Sequence, residues 1–61
     1  MAASEFHITA RSMVAPGDIR ALGRGVEVVL YRDVRSRPDW SALLSALAIA
    51  IGRGASVRWL P

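Results

Sequence analysis

Arg32, Arg35 and Arg37 fall within six residues of one another and are bracketed by Tyr31 and Trp40. Guanidinium groups at this density beside aromatic rings suit phosphate or nucleic-acid recognition, the forks pairing with phosphate oxygens and the rings stacking on bases. The same stretch carries Asp33 and Asp39, so a solvated loop whose arginines pair with their own carboxylates is the competing reading. A second pair of cations, Arg24 and Arg53, sits in two similar turns, Gly23-Arg24-Gly25 and Gly52-Arg53-Gly54. Side by side, these turns would form another anion clamp; taken singly, they are helix-to-strand turns that need glycine at positive φ. Neither a Gly-rich phosphate loop ending in Lys-Ser/Thr nor a dinucleotide fingerprint accompanies them.

Catalytic chemistry finds less support. The acids are Glu5, Asp18, Glu27, Asp33 and Asp39, and no spacing among them forces two into one cleft. His7 has no nucleophile or orienting acid evident beside it in sequence. A single histidine and no cysteine argue against a structural zinc site or a disulfide framework. The chain is therefore expected to be no enzyme and to need no cofactor or metal.

The elements that position these residues are legible from pattern. Residues 5–11 alternate, with Phe6, Ile8 and Ala10 on one side and His7, Thr9 and Arg11 on the other, as a strand with one covered face does. Residues 16–22 suit a short helix or turn led by Pro16. Residues 26–33 are rich in β-branched and aromatic types and apolar on both faces, which predicts a central strand. Residues 38–51 are mostly Ala and Leu, strong helix formers, with Ser36 or Pro38 at the start and Gly52 as the stop. Residues 55–60 form the last strand. The expected fold is a small two-layer α/β domain of order β-(α)-β-α-β, with a mostly parallel three-stranded sheet (order 1-2-3) and one main helix on one face. A helical crossover between the second and third strands implies parallel, right-handed connection; the first connection is too short to fix its sense. On the uncovered sheet face, His7, Thr9, Arg11, Glu27, Tyr31 and Arg58 would form a binding platform or, more simply, cross-strand pairs of Glu27 with Arg11 or Arg58.

The main helix is more apolar than a one-sided cover requires. Trp40, Leu43, Leu44, Leu47 and Ile51 form a stripe suited to the sheet, yet the opposite side offers no charge. Ser41, Ser45, Ala48 and Gly52 recur at i, i+4, i+7 and i+11 and, with Ile49, would let a second backbone approach closely. Self-association through this face competes with simple exposure of small residues; a membrane-surface role is disfavoured because the helix carries no basic residues.

Length sets the stakes. Sixty-one residues make one domain, and a chain this short buries only ~60% of its unfolded surface. Without disulfides or metal, a partner chain is the remaining staple. The longest uncharged stretch, 40–52, would make about 20 Å of helix, short of a ~30 Å hydrocarbon core. The first residues lack the pattern of a signal peptide, and a cytoplasmic location is expected. All the basic residues are arginine, which with the many alanines and glycines reads as GC-rich, bacterial or phage-like codon usage; the net charge of +3 permits an anionic partner without requiring one. The ending Trp59-Leu60-Pro61, directly on a strand, suits an N-terminal piece of a larger assembly. Taken together, the residues point to a non-enzymatic protein-interaction module that self-associates and binds another protein, as adaptor, regulator or inhibitor. The alternative is a small nucleic-acid or phosphate binder using Arg32, Arg35 and Arg37.

Overall fold

A computed structural model describes residues 4–61. Three strands, β1 (Ser4–Ile8), β2 (Val26–Leu30) and β3 (Ser56–Trp59), form one sheet in the order β1-β2-β3. Both pairings are parallel, with Phe6 beside Val28 and Val28 beside Val57. The short first connection is thus a crossover like the second, and it carries helix α1 (Pro16–Arg20). The second carries a 3₁₀ turn (Arg32–Ser36) and helix α2 (Trp40–Gly52). By the rule that such crossovers are right-handed, two of them moving one strand at a time in one direction place both helices on one side of the sheet. α1 and α2 accordingly pack against each other.

The register decides the core. Phe6, Ile8, Val28, Leu30 and Val57 share the face under the helices and meet Ile19 of α1, Val34 of the 3₁₀ turn, and Leu43, Ala46, Leu47 and Ala50 of α2. Val29 points to the other face and is nonetheless fully buried. Its cover is a chain of polar side chains crossing all three strands. The Tyr31 hydroxyl meets His7 Nδ1 at 2.8 Å, and His7 Nε2 meets Glu5 Oε1 at 2.8 Å. Arg58 then bonds Glu5 (3.4 Å) and Glu27 (3.2 Å). Of the two cross-strand pairs expected for Glu27, the one with Arg58 forms; Arg11 lies in the turn beyond β1.

Several boundaries differ from the sequence pattern, each for a local reason. The alternation through residue 11 predicts a longer β1, but the strand ends at Ile8. The Thr9 amide bonds the Ser12 hydroxyl (2.8 Å) and the Ala10 amide bonds Asp33 Oδ1 (3.1 Å), which takes both out of the ladder. β2 stops at Leu30 because Arg32 opens the 3₁₀ turn. α2 begins at Trp40, beyond both Ser36 and Pro38: Asp39 is its N-cap residue, with a carboxylate held by Arg37 instead of the helix amides. The stop is Gly54, not Gly52. Gly52 is helical, whereas Gly54 has φ 103°; its amide bonds Ile51 O at 2.9 Å and that of Ala55 bonds Ala50 O at 3.0 Å. These two bonds are the Schellman pattern, closed by apolar contact between Ala50 and Ala55 in the core.

The turn of α2 about its axis also differs. Its buried residues are Leu43, Ala46, Leu47 and Ala50, while Leu44 and Ile51, read as part of the core stripe, are exposed. The alanines allow α1 to lie close, so the helix rotates toward its neighbour and turns two large side chains outward.

Candidate functional site

Because all three strands run the same way, the segments following them gather at one edge of the sheet. The loop after β1, the 3₁₀ turn after β2 and residues 60 and 61 after β3 meet there. Arg37 ties two of these segments together. Its Nε and Nη2 donate to the two oxygens of Asp39 (3.0 and 3.2 Å), Nη1 donates to Thr9 O and Ser12 O (3.2 and 3.1 Å), and Nη2 donates to Val14 O (2.7 Å). A guanidinium has five N–H donors, and all five are engaged inside the chain. The adjacent cation holds the Asp39 carboxyl below its ordinary pKa, first through the hydrogen bond from Arg37. Arg37 is thus a clasp that closes the β1–α1 loop onto the entry to α2, and it is withdrawn from any role as an anion contact.

Arg32 and Arg35 behave differently. Both are exposed, and neither makes a hydrogen bond or ion pair among the described residues. Asp33 gives one oxygen to the Ala10 amide and Asp39 gives both to Arg37. The self-paired loop read from the sequence is therefore realised by Arg37 alone. Arg35 lies over the ring of Trp59, 5.0 Å from its centroid, and that indole also meets Trp40 edge-on at 5.8 Å. Arg32, Arg35, Trp59, Leu60 and Pro61 line a cleft of about 570 Å³. Trp59 was not among the aromatics expected at this loop. Its signal was its place at the end of the last strand, which parallel pairing brings to the arginine edge. Tyr31, expected as a stacking ring, instead bonds His7 on the open sheet face.

The opposite edge carries the two glycine turns, and they do lie side by side. A Cβ at Gly23 would come within 3.1 Å of Arg53 O, and one at Gly54 within 3.3 Å of Arg24 Cβ. The positive-φ residues are Gly25 (89°) and Gly54 (103°). Arg24 and Arg53 are exposed on neighbouring turns without a hydrogen-bonded partner among the described residues. Close packing of the turns accounts for Gly23 and Gly54, and positive φ for Gly25 and Gly54.

The third region is the outer face of α2. At 100° per residue, Ser41, Ser45, Ala48 and Gly52 fall along its centre line. Leu44 and Ile51 flank this line on one side and Ile49 on the other, with exposures of 45%, 53% and 47% respectively. The low central groove with branched aliphatic walls is continuous along the helix, and none of its residues is charged.

His7 has neighbours that its sequence position concealed, Glu5 and Tyr31, in a Tyr–His–Glu line. That line lies on an exposed sheet face, with Glu5 shared by Arg58. Among the described residues no group of three His, Cys, Asp or Glu side chains converges in a way that holds a metal ion. Among the described residues no helix is long and apolar enough to cross a membrane. Comparison of the chain with protein-family models, curated proteins and solved structures finds no match.

Proposed function

We propose that this protein is a non-enzymatic interaction module that works by association, first with a second copy of itself through the outer face of α2 and, as a dimer, with another protein. The observation that carries the reading is the composition of that face: none of the 13 residues of α2 is charged, and three large aliphatic side chains stand about half exposed on it. Scattered exposed leucines need no explanation, but a continuous stripe flanking small residues does. Small side chains on the centre line let a second helix come to ~8 Å, and the flanking Leu44, Ile49 and Ile51 then pack on either side of it. A two-fold axis, the commonest symmetry of homo-oligomers, would bring this face of one copy against the same face of the other.

The size of the core supports the same reading. The buried hydrophobics are eight branched aliphatics and three alanines, with no buried aromatic among the described residues. A core of this size stabilises a small domain by at most ~3–5 kcal/mol, and burying the α2 face adds to it. We place the protein in the cytoplasm, where a chain without cysteine loses nothing to reducing conditions.

Sedimentation of the full chain at tens of micromolar tests this, with Ile49→Glu as the interface variant. The reading expects a dimer that Ile49→Glu converts to a folded monomer, as judged by unchanged circular dichroism. A wild-type chain that stays monomeric at that concentration sinks it.

A further inference from the structure

The cleft at the carboxyl edge of the sheet is separate from the α2 face, and its chemistry is specific. In a 3₁₀ helix residues i and i+3 eclipse, so Arg32 and Arg35 project from the same side of the turn. Val34, between them, points into the core and anchors the turn. Arg35 is further held by its contact with the indole of Trp59. A cation–π contact is made through charge and leaves guanidinium N–H donors available for hydrogen bonds. Two guanidinium groups thus line one cleft; of the nearby carboxylates, Asp39 is taken by Arg37 and Asp33 gives one oxygen to the Ala10 amide. Trp59, Leu60 and Pro61, whose side chains are apolar, complete the lining. The volume of about 570 Å³ lies within the range of small-molecule sites.

We infer that this cleft binds a phosphate monoester carried by a planar organic body, the chemistry of a nucleoside monophosphate. Two forks match the charge and the oxygen geometry of a phosphate dianion, and bidentate contact is what arginine provides over lysine. The apolar side of the cleft takes the body of the ligand against the exposed part of Trp59. Arg37, Arg24 and Arg53 contribute nothing: the first has no donor left, and the other two lie at the opposite edge of the sheet.

The test is titration of the full-length chain, followed by the NMR signals of the Trp59 indole N–H and the arginine Nε–H groups. The probes are adenosine 5′-monophosphate, inorganic phosphate, adenosine, and one oligonucleotide with and without a 5′-phosphate. The inference expects the monophosphate to move the Trp59, Arg32 and Arg35 signals together, with inorganic phosphate weaker and adenosine inert. Arg32→Ala and Arg35→Ala each weaken binding about tenfold or more. Arg35→Lys, which keeps the charge but loses the fork and the stack, also weakens it. Arg53→Ala leaves it unchanged, and so does Ile49→Glu, which separates this site from the α2 interface. A phosphorylated oligonucleotide that binds while its unphosphorylated form does not is the same chemistry met at the end of a strand. Three results overturn the inference: no shift at millimolar ligand and low salt, equal binding of adenosine or the unphosphorylated strand, or an Arg53→Ala loss equal to that of Arg35→Ala.

Discussion

Arg35 and Arg37 are two residues apart and chemically identical, yet the fold uses them in opposite ways. Arg37 has a side chain only 10% exposed, and its removal leaves three loop carbonyls and the Asp39 carboxylate without their donor. Three part-buried loop carbonyls that lose their donor cost roughly 3 kcal/mol together, about 1 kcal/mol each. In a domain this size that lowers the melting temperature on the order of 15 °C. Arg37→Ala and Arg37→Lys are both expected to melt early, because three ammonium donors cannot replace a five-donor fork. Arg35→Ala should leave the melting temperature nearly unchanged; a large loss there, or none at Arg37, contradicts these assignments. Protonation of Asp39 acts on the same clasp. Its folded-state pKa lies below the unfolded value, so its contribution is fully present above about pH 4 and is lost as pH falls through the folded value. Asp39→Asn should therefore be less stable than wild type at neutral pH and converge toward it in acid, as read by melting temperature against pH. The sequence offered the three arginines as a group. Which one the fold engages depends on carbonyls 23 to 28 residues away, and no local pattern encodes that.

At the scale of elements, periodicity and glycine placement carried most of the information. The β-branched run of β2, the Ala/Leu run of α2 and the paired glycine turns give the order of elements and the parallel pairing of β2 with β3, while the sense of β1 came from the structure. What escaped were the ends. β1 was overrun because Thr9 and Ala10 continue the alternation while their backbone groups bond Ser12 and Asp33. The stop of α2 lies two residues beyond Gly52; both Gly52 and Gly54 suit a helix end by type, and only φ separates them. That separation has a measurable consequence. Gly54→Ala forces a Cβ into a left-handed conformation at 3.3 Å from Arg24 Cβ, costing about 1–2 kcal/mol from the backbone alone. Gly25→Ala meets the same backbone strain at φ 89° but open space, so it should cost less. Gly52→Ala, helical and unobstructed, should be neutral or stabilising by up to about 1 kcal/mol. Urea denaturation of the three variants checks the ranking, and Gly52→Ala as the most damaging would overturn the assignment of the stop. The candidate cleft was half legible. The arginine side came from composition, whereas Trp59 entered only once parallel pairing had set the end of β3 beside the 3₁₀ turn.

The whole molecule is a sheet covered on one face by helices and on the other by a single layer of polar side chains over Val29. Its Cα radius of gyration, 10.6 Å, matches the ~10.5 Å expected of one folded unit of this length. The open sheet face meets water through Glu5, His7, Glu27, Tyr31 and Arg58, so solvent can remain there. The α2 face offers water no charge at all. In the proposed dimer the apolar stripe is covered, and the arginine cleft of each copy lies at the carboxyl edge of its sheet, apart from that stripe. The most direct test is sedimentation equilibrium on the wild-type chain and on Ile49→Glu, across a concentration series. The account predicts a wild-type mass rising from 6.6 kDa to twice that value by tens of micromolar, with the variant remaining at 6.6 kDa and fully folded. A wild-type mass fixed at 6.6 kDa throughout, or a variant that dimerises as well as wild type, would contradict it.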